Sequence, residues 1–275
     1  MLSKSSEMFS NKTIAIIGGG NLGVSIAEGL VKSELIKAQN ITVTRRKIEL
    51  LEPLKKIGIN TLTDNRIAVA QSEIVILAIK PKQIKDVLAE IKNDIDPAKH
   101  IIISVVTGVT IKEMLGVIGK DLAIFRAMPN TAIAIQESMT CISSFSATKD
   151  QQEMVLSIFN KLGKALIIEE ELMEASTVLG ACGIAFALRF IRAASQGGIE
   201  IGFDAQSAQI ISAQTAKGAA ALLIERGHHP EREIDKVTTP QGCTIAGLNE
   251  LEHYGFSSSL IKGIITSFKK IAKMH

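Results

Sequence analysis

Gly18-Gly19-Gly20-Asn21-Leu22-Gly23 has the spacing G-x-G-x-x-G. It follows the apolar run Thr13 to Ile17 and opens an amphipathic stretch that continues from about Leu22 to Lys32. Glycines so placed let the backbone turn tightly and approach a pyrophosphate, and the helix start behind them presents free N–H groups to the anion. A glycine-rich turn alone is common; the strand before it and the helix after it make it a dinucleotide-binding fingerprint. Gly18, Gly20, Asn21, Leu22 and Gly23 are the expected phosphate-side residues.

A second segment selects the nucleotide. Where an NAD site places an acid for the ribose 2′-hydroxyl, the strand Ile41 to Thr44 ends in Thr44-Arg45-Arg46-Lys47, and the first acid is Glu49. Guanidinium groups match a 2′-phosphate in charge and geometry. Arg45 and Arg46 therefore point to NADPH, with NADH as the weaker alternative.

Elements must hold these groups in place. Further strands are expected at Ser72 to Ala78, His100 to Val105, Leu122 to Met128, Met139 to Ser143 and Ala165 to Ile168. Helices are expected at about Ile48 to Ile57, Lys82 to Ile91 and Ile111 to Ile118. Short β-branched runs alternating with helices predict an α/β fold, a doubly wound parallel sheet covered on both faces. The pattern changes near residue 168, giving domains 1–168 and 169–275. Glu169-Glu170-Glu171 reads as a charged helix start. Only helices follow: Ala175 to Ile201, Ala205 to Arg226, Ile245 to Tyr254 and Ser258 to Lys273. Helices apolar on all sides must be covered on all sides, which predicts dimerisation through them.

Composition excludes other classes. Net charge is +3, from 31 Lys plus Arg against 28 Asp plus Glu, and aromatics are nine Phe, one Tyr and no Trp. Such a chain lacks the basic stripe and the stacking platforms of a nucleic-acid binder. No apolar run is expected to span a bilayer. Met1 to Lys12 lacks an apolar signal region, and Cys141, Cys182 and Cys243 form no disulfide framework; a cytoplasmic protein is expected. His228-His229 has no metal-binding spacing, and all five histidines read as structural or solvated.

Ala78-Ile79-Lys80-Pro81, Asn65, the turn Thr107-Gly108-Val109-Thr110-Ile111, the turn Arg126-Ala127-Met128-Pro129-Asn130-Thr131 and the run Thr238-Thr239-Pro240-Gln241-Gly242-Cys243-Thr244-Ile245-Ala246-Gly247-Leu248 complete a collinear set. With the glycine loop they resemble the pyrroline-5-carboxylate reductase family over Thr13 to about Glu252. The resemblance implies an N-terminal Rossmann domain and an all-helical C-terminal domain that interleaves with its twin, dimers sometimes building rings. It implies NADPH-dependent reduction of 1-pyrroline-5-carboxylate to L-proline, the last step of proline biosynthesis. It adds Asn65, Ala78, Lys80, Pro81 and Thr107 to the cofactor side, and Thr239, Gly242 and Thr244 to the substrate side, with Thr244 as the catalytic residue near the ring nitrogen. Thr244 also reads as the N-cap of the helix after it.

Two stretches depart from the family pattern. Gly180-Ala181-Cys182-Gly183-Ile184-Ala185-Phe186 stands for Ser-Gly-Ser-Gly-Pro-Ala-Tyr, and Gln241 replaces a glycine. If that glycine needs positive φ, Gln241 carries a conformational cost. The departures leave two further functions open: an NADP-dependent reductase of another small imine or carbonyl acid, and a non-catalytic NADPH-binding homologue.

Overall fold

The computed structural model describes residues 8–272. The polar start read over Met1 to Lys12 lies largely outside them, as do Lys273, where the last helix was expected to end, and His275. The described residues form two compact units, 8–181 and 182–272.

The first unit is built on eight strands: β1 Ile14–Ile17, β2 Ile41–Thr44, β3 Asn60–Leu62, β4 Ile74–Leu77, β5 Ile101–Ser104, β6 Ile124–Met128, β7 Ser138–Phe145 and β8 Gly163–Ile167. They join in one sheet in the order β3-β2-β1-β4-β5-β6-β7-β8. In β1 and β4 every residue is buried, which is why these strands read as continuous apolar runs. Ile14 and Ile16 pack into one apolar layer while Ala15 and Ile17 pack into the other, and the residues of β4 alternate in the same way. Each fully buried isoleucine contributes about 1.5–3 kcal/mol.

Helices α1 Asn21–Lys32, α2 Glu52–Lys56, α3 Asn65–Ala70, α4 Ile84–Ile91, α5 Ile111–Ile118 and α6 Lys149–Asn160 connect the strands. The sheet is parallel, as the sequence predicted, at every pairing but one: β7 runs antiparallel to β6. The link between them, residues 129–137 with the short 3-10 helix Thr131–Ile135, is too short for the crossover that a parallel neighbour requires. β3, α3 and α6 were not anticipated. The first is a short, half-polar edge strand. α6 carried a readable start, a capping box between Thr148 and Gln151.

After β8 the chain becomes helical from Glu170 to Glu200 without a break. Within it, α7 Met173–Ser176 passes through a π-helical turn, Thr177–Cys182, into α8 Gly183–Glu200. This helix is long and apolar enough to cross a membrane by length and composition, and only 11% of its apolar stretch is buried. That corrects the expectation that no apolar run reaches such a length.

The second unit continues with α9 Ala205–Arg226, α10 Pro230–Asp235, α11 Cys243–His253 and α12 Phe256–Ala272. α8 and α9 pack closely through small residues: a Cβ on Gly198 would lie 3.1 Å from that of Ala208. Yet Ser195 and Ala208 are the only buried residues among the described residues of this unit. Ile201 and Ile224 are 78% and 79% exposed, and Leu188, Ile210 and Ile261 are also open.

Candidate functional site

Strand order reverses between β1 and β4, and ligands of such sheets bind at the carboxyl ends of the strands at that switch point. The glycine loop lies there. Gly18 has φ +110°, and a Cβ on it would sit 2.5 Å from the Ala78 carbonyl oxygen. At Gly23 a Cβ would come within 2.2 Å of the Gly18 carbonyl oxygen, so this glycine lets α1 seat against the loop. A Cβ on Gly20 would meet nothing. Gly20 is also the N-cap of α1 and supplies no side-chain cap, leaving the amides of Asn21, Leu22 and Gly23 as an open anion site. Leu22 packs on the core beneath, and Asn21 is exposed.

The adjoining strand ends are tied to this loop. The amides of Gly18 and Gly19 both donate to the Thr44 carbonyl, at 3.2 and 2.7 Å. Arg45 Nη1 donates to the Gly19 carbonyl at 2.6 Å, and Arg46 is exposed. Thr44 Oγ1 donates to Asn65 Oδ1 at 2.6 Å, while Asn65 Nδ2 donates to Glu90 at 3.1 Å. The Ala78 amide donates to the Ile17 carbonyl at 2.8 Å. Lys80 is exposed as the N-cap of a short 3-10 turn that begins at Pro81. Thr107 follows β5 and is exposed, its hydroxyl 3.9 Å from Met128 Sδ. Gly18, Gly20, Asn21, Leu22, Gly23, Arg45, Arg46, Asn65, Ala78, Lys80, Pro81 and Thr107 thus lie on loops and helix starts at the carboxyl ends of β1 to β5. An open helix start, a glycine cradle, a half-buried Arg45 and an exposed Arg46 at the end of β2 fit a phosphorylated dinucleotide. Two open cavities, of 350 and 380 Å³, lie away from the loop, one along β2–β3 and one beside Lys12 and Glu73.

Three functional candidates escaped the sequence reading. Arg126 on β6 is buried, and its Nη1 donates to Glu170 Oε1 at 3.0 Å. The same Glu170 oxygen accepts the Ile111 amide, at 2.8 Å, at the start of α5. Glu170 is therefore a bridge between strand, turn and helix rather than only a charged helix start. Arg126 Nε and Ser143 Oγ, on residues directly opposite across β6 and β7, are buried without partners among the described residues. Asn130 Nδ2 donates to the Gly180 carbonyl at 3.2 Å, inside the π-helical turn. The Arg-x-Met-Pro-Asn motif was the available signal; the residues' partners were not.

The second unit holds the other predicted residues. The N-cap of α11 is Gly242, not Thr244, and no side chain caps the helix. A Cβ on Gly242 would lie 2.5 Å from Thr239 Oγ1 and 3.0 Å from the Thr239 carbonyl oxygen, and the Gly242 amide donates to that carbonyl at 2.9 Å. The chain therefore enters the helix two residues before the threonine. Thr244 is exposed in the first turn, where its hydroxyl is not used as a cap and the amides of Cys243, Thr244 and Ile245 are open. Gln241 has φ +58°, so the backbone keeps the form that a glycine favours. Non-glycine residues there cost about 1–2 kcal/mol. Gln241→Gly is expected to raise Tm by about 2 °C, a net gain of roughly 0.5–1 kcal/mol; a lower Tm by calorimetry would refute the strain.

Other titratable groups have structural roles. Buried His100 accepts the Asp96 amide at Nδ1 and places Nε2 3.1 Å from the Val69 carbonyl, so Nε2 carries the proton. His228 Nδ1 lies 2.5 Å from Glu233, a pairing its sequence neighbours did not suggest. Lys236, His228 and Arg226 hold the Glu233 carboxyl down to about 2. All three cysteines are free, and burial pushes the Cys141 thiol up.

Residues 170–274 match the family described as "Pyrroline-5-carboxylate reductase dimerisation", and residues 13–108 match "NADP oxidoreductase coenzyme F420-dependent". The chain is 46% identical to pyrroline-5-carboxylate reductase 2 of Dictyostelium discoideum, over 97% of this chain and 94% of that protein. It is 50% identical to pyrroline-5-carboxylate reductase 1 of the same organism over 95% of its own length, but spans only 50% of that relative. Among solved structures, a pyrroline-5-carboxylate reductase from Coxiella burnetii superposes with a TM-score of 0.91 at 29% identity, covering 95% of this chain and 98% of that one.

Proposed function

The chain belongs to the pyrroline-5-carboxylate reductase family, and from that premise we propose that it reduces 1-pyrroline-5-carboxylate to L-proline with NADPH. The observation that carries this reading is the pair of open helix starts, α1 behind a glycine cradle and α11 behind Gly242.

In the first unit, the amides of Asn21, Leu22 and Gly23 hold the pyrophosphate, and Gly18 and Gly20 make room for it. Arg45 and Arg46 take the 2′-phosphate, Asn65 the neighbouring ribose, and Ala78, Lys80, Pro81 and Thr107 line the remaining length of the cofactor. A bound nicotinamide supplies the hydride. In the second unit, the amides at the start of α11 hold the substrate carboxylate, helped by Thr239 and by the close approach that Gly242 allows. Thr244 Oγ1 accepts the N–H of the protonated ring nitrogen and so keeps that proton in place while the neighbouring carbon is reduced. A protonated imine is already electrophilic, so orientation and a dry site suffice without a strong acid.

Thr244→Ala is expected to lower kcat/KM for the imine about thirtyfold, the worth of one hydrogen bond to a charged group at roughly 2 kcal/mol, with NADPH affinity within twofold of the parent. Unchanged kinetics would remove Thr244 from the site. Following NADPH oxidation with 1-pyrroline-5-carboxylate tests the whole reading. Turnover is expected, and NADPH binding without it would favour the other substrates or a non-catalytic role.

The apolar helices from residue 169 onward form the dimerisation domain of this proposal, with residues 1–168 as the NADP-binding domain. Their exposed faces are covered by a second protomer rather than by lipid, dimers can build rings, and the protein works in the cytoplasm.

A further inference from the structure

The helix that leaves the sheet is held at two points by β6 and the turn after it. At its start Glu170 accepts from Arg126, and ten residues on, by the chain numbering, the Gly180 carbonyl accepts from Asn130 Nδ2. The lengths agree: ten helical residues rise about 15 Å, and the four residues from 126 to 130 reach about 13 Å when extended.

Around the second point the helix widens into the π turn Thr177–Cys182. Ser176 and Thr177 both fold their hydroxyls back onto the Met173 carbonyl, at 2.8 and 2.9 Å, which bends a helix. A π turn removes carbonyls from their α-helical partners, and single π turns concentrate at functional sites. Here the Gly180 carbonyl takes an amide from outside the helix. That amide is itself fixed: Asn130 Oδ1 accepts the Ala132 amide at 3.0 Å, and the Asn130 amide donates to Ser138 Oγ at 3.0 Å. The turn overlaps the start of the Gly180 to Phe186 stretch, and the donor to the Gly180 carbonyl comes from the turn after β6.

We propose that Asn130 is a positioning residue for the reduction, holding the π turn open through the Gly180 carbonyl so that residues 180–186 keep the backbone that turnover requires. This rests on the imine-reductase reading.

Asn130→Asp separates the two roles of the side chain, since a carboxylate still caps the Ala132 amide but repels the Gly180 carbonyl. Amide exchange by mass spectrometry on the NADPH-bound protein is expected to speed up at least tenfold across residues 180–186. kcat with 1-pyrroline-5-carboxylate is expected to fall about tenfold, with the NADPH Kd within twofold of the parent. Asn130→Ser, which caps without charge and is too short to reach Gly180, is expected to do the same, and serves where the carboxylate prevents folding. Unchanged exchange at 180–186, a parental kcat, or equal loss of NADPH binding and kcat would overturn the proposal. Absence of imine turnover in the parent would instead overturn the functional reading, leaving the exchange result to decide the role of the clamp.

Discussion

Replacing Arg45 and Arg46 together with serine is expected to lower the preference for NADPH over NADH about a hundredfold. A charge-assisted hydrogen bond is worth roughly 1.5–3 kcal/mol, and 1.4 kcal/mol is about tenfold in affinity, so two partly solvated contacts give this size. The single variants should differ, because among the described residues Arg45 is the one engaged, through Nη1 on the Gly19 carbonyl. Arg46→Ser is expected to weaken NADPH alone. Arg45→Ser also loosens the glycine loop and is expected to weaken both cofactors. Dissociation constants for NADPH and NADH, measured by fluorescence, check this. Equal weakening of both cofactors in the double variant would show that the arginines do not read the 2′-phosphate.

The second large effect is expected at Gly23. Its absent Cβ would lie 2.2 Å from the Gly18 carbonyl oxygen and 3.2 Å from Ile16 Cγ2, and the nearer atom is backbone that cannot rotate aside. Gly23→Ala must therefore push α1 and the loop apart. Overpacking of this kind costs about 1–3 kcal/mol, which lowers Tm by roughly 4–8 °C for 2 kcal/mol in a chain of this size. The same displacement opens the pyrophosphate cradle, so NADPH affinity is expected to fall about a hundredfold or more. Gly20→Ala has open space for its Cβ within the protein and should leave Tm unchanged while weakening NADPH. A Gly23→Ala protein with parental Tm and NADPH affinity would remove close helix–loop packing from the account.

The sequence was most informative where a residue type records a backbone constraint. Gly18 and Gly23 are glycines because a Cβ at either would strike a carbonyl, so the phosphate loop could be read without coordinates. β1, β2, β4 and β5 could be read because they are buried on both faces and leave short runs rich in β-branched residues. β3 could not: at the sheet edge, Asn60-Thr61-Leu62 has no buried residue to announce it. Thr244 illustrates the limit at helix starts, since a threonine caps well but the chain had already turned at Gly242. The clamps from β6 were hidden for another reason. Arg126 and Glu170 are separated by 44 positions, and Asn130 and Gly180 by 50. Only the strand order, with the reversal at β7, brings the helix after β8 back to them.

The second unit has one more consequence. Among its described residues it buries only Ser195 and Ala208, so it has almost no interior of its own to oppose the entropy of an ordered chain. With a second copy as the proposed cover, folding of this unit becomes a bimolecular event. Its melting temperature then depends on protein concentration, and dilution alone acts as a denaturant.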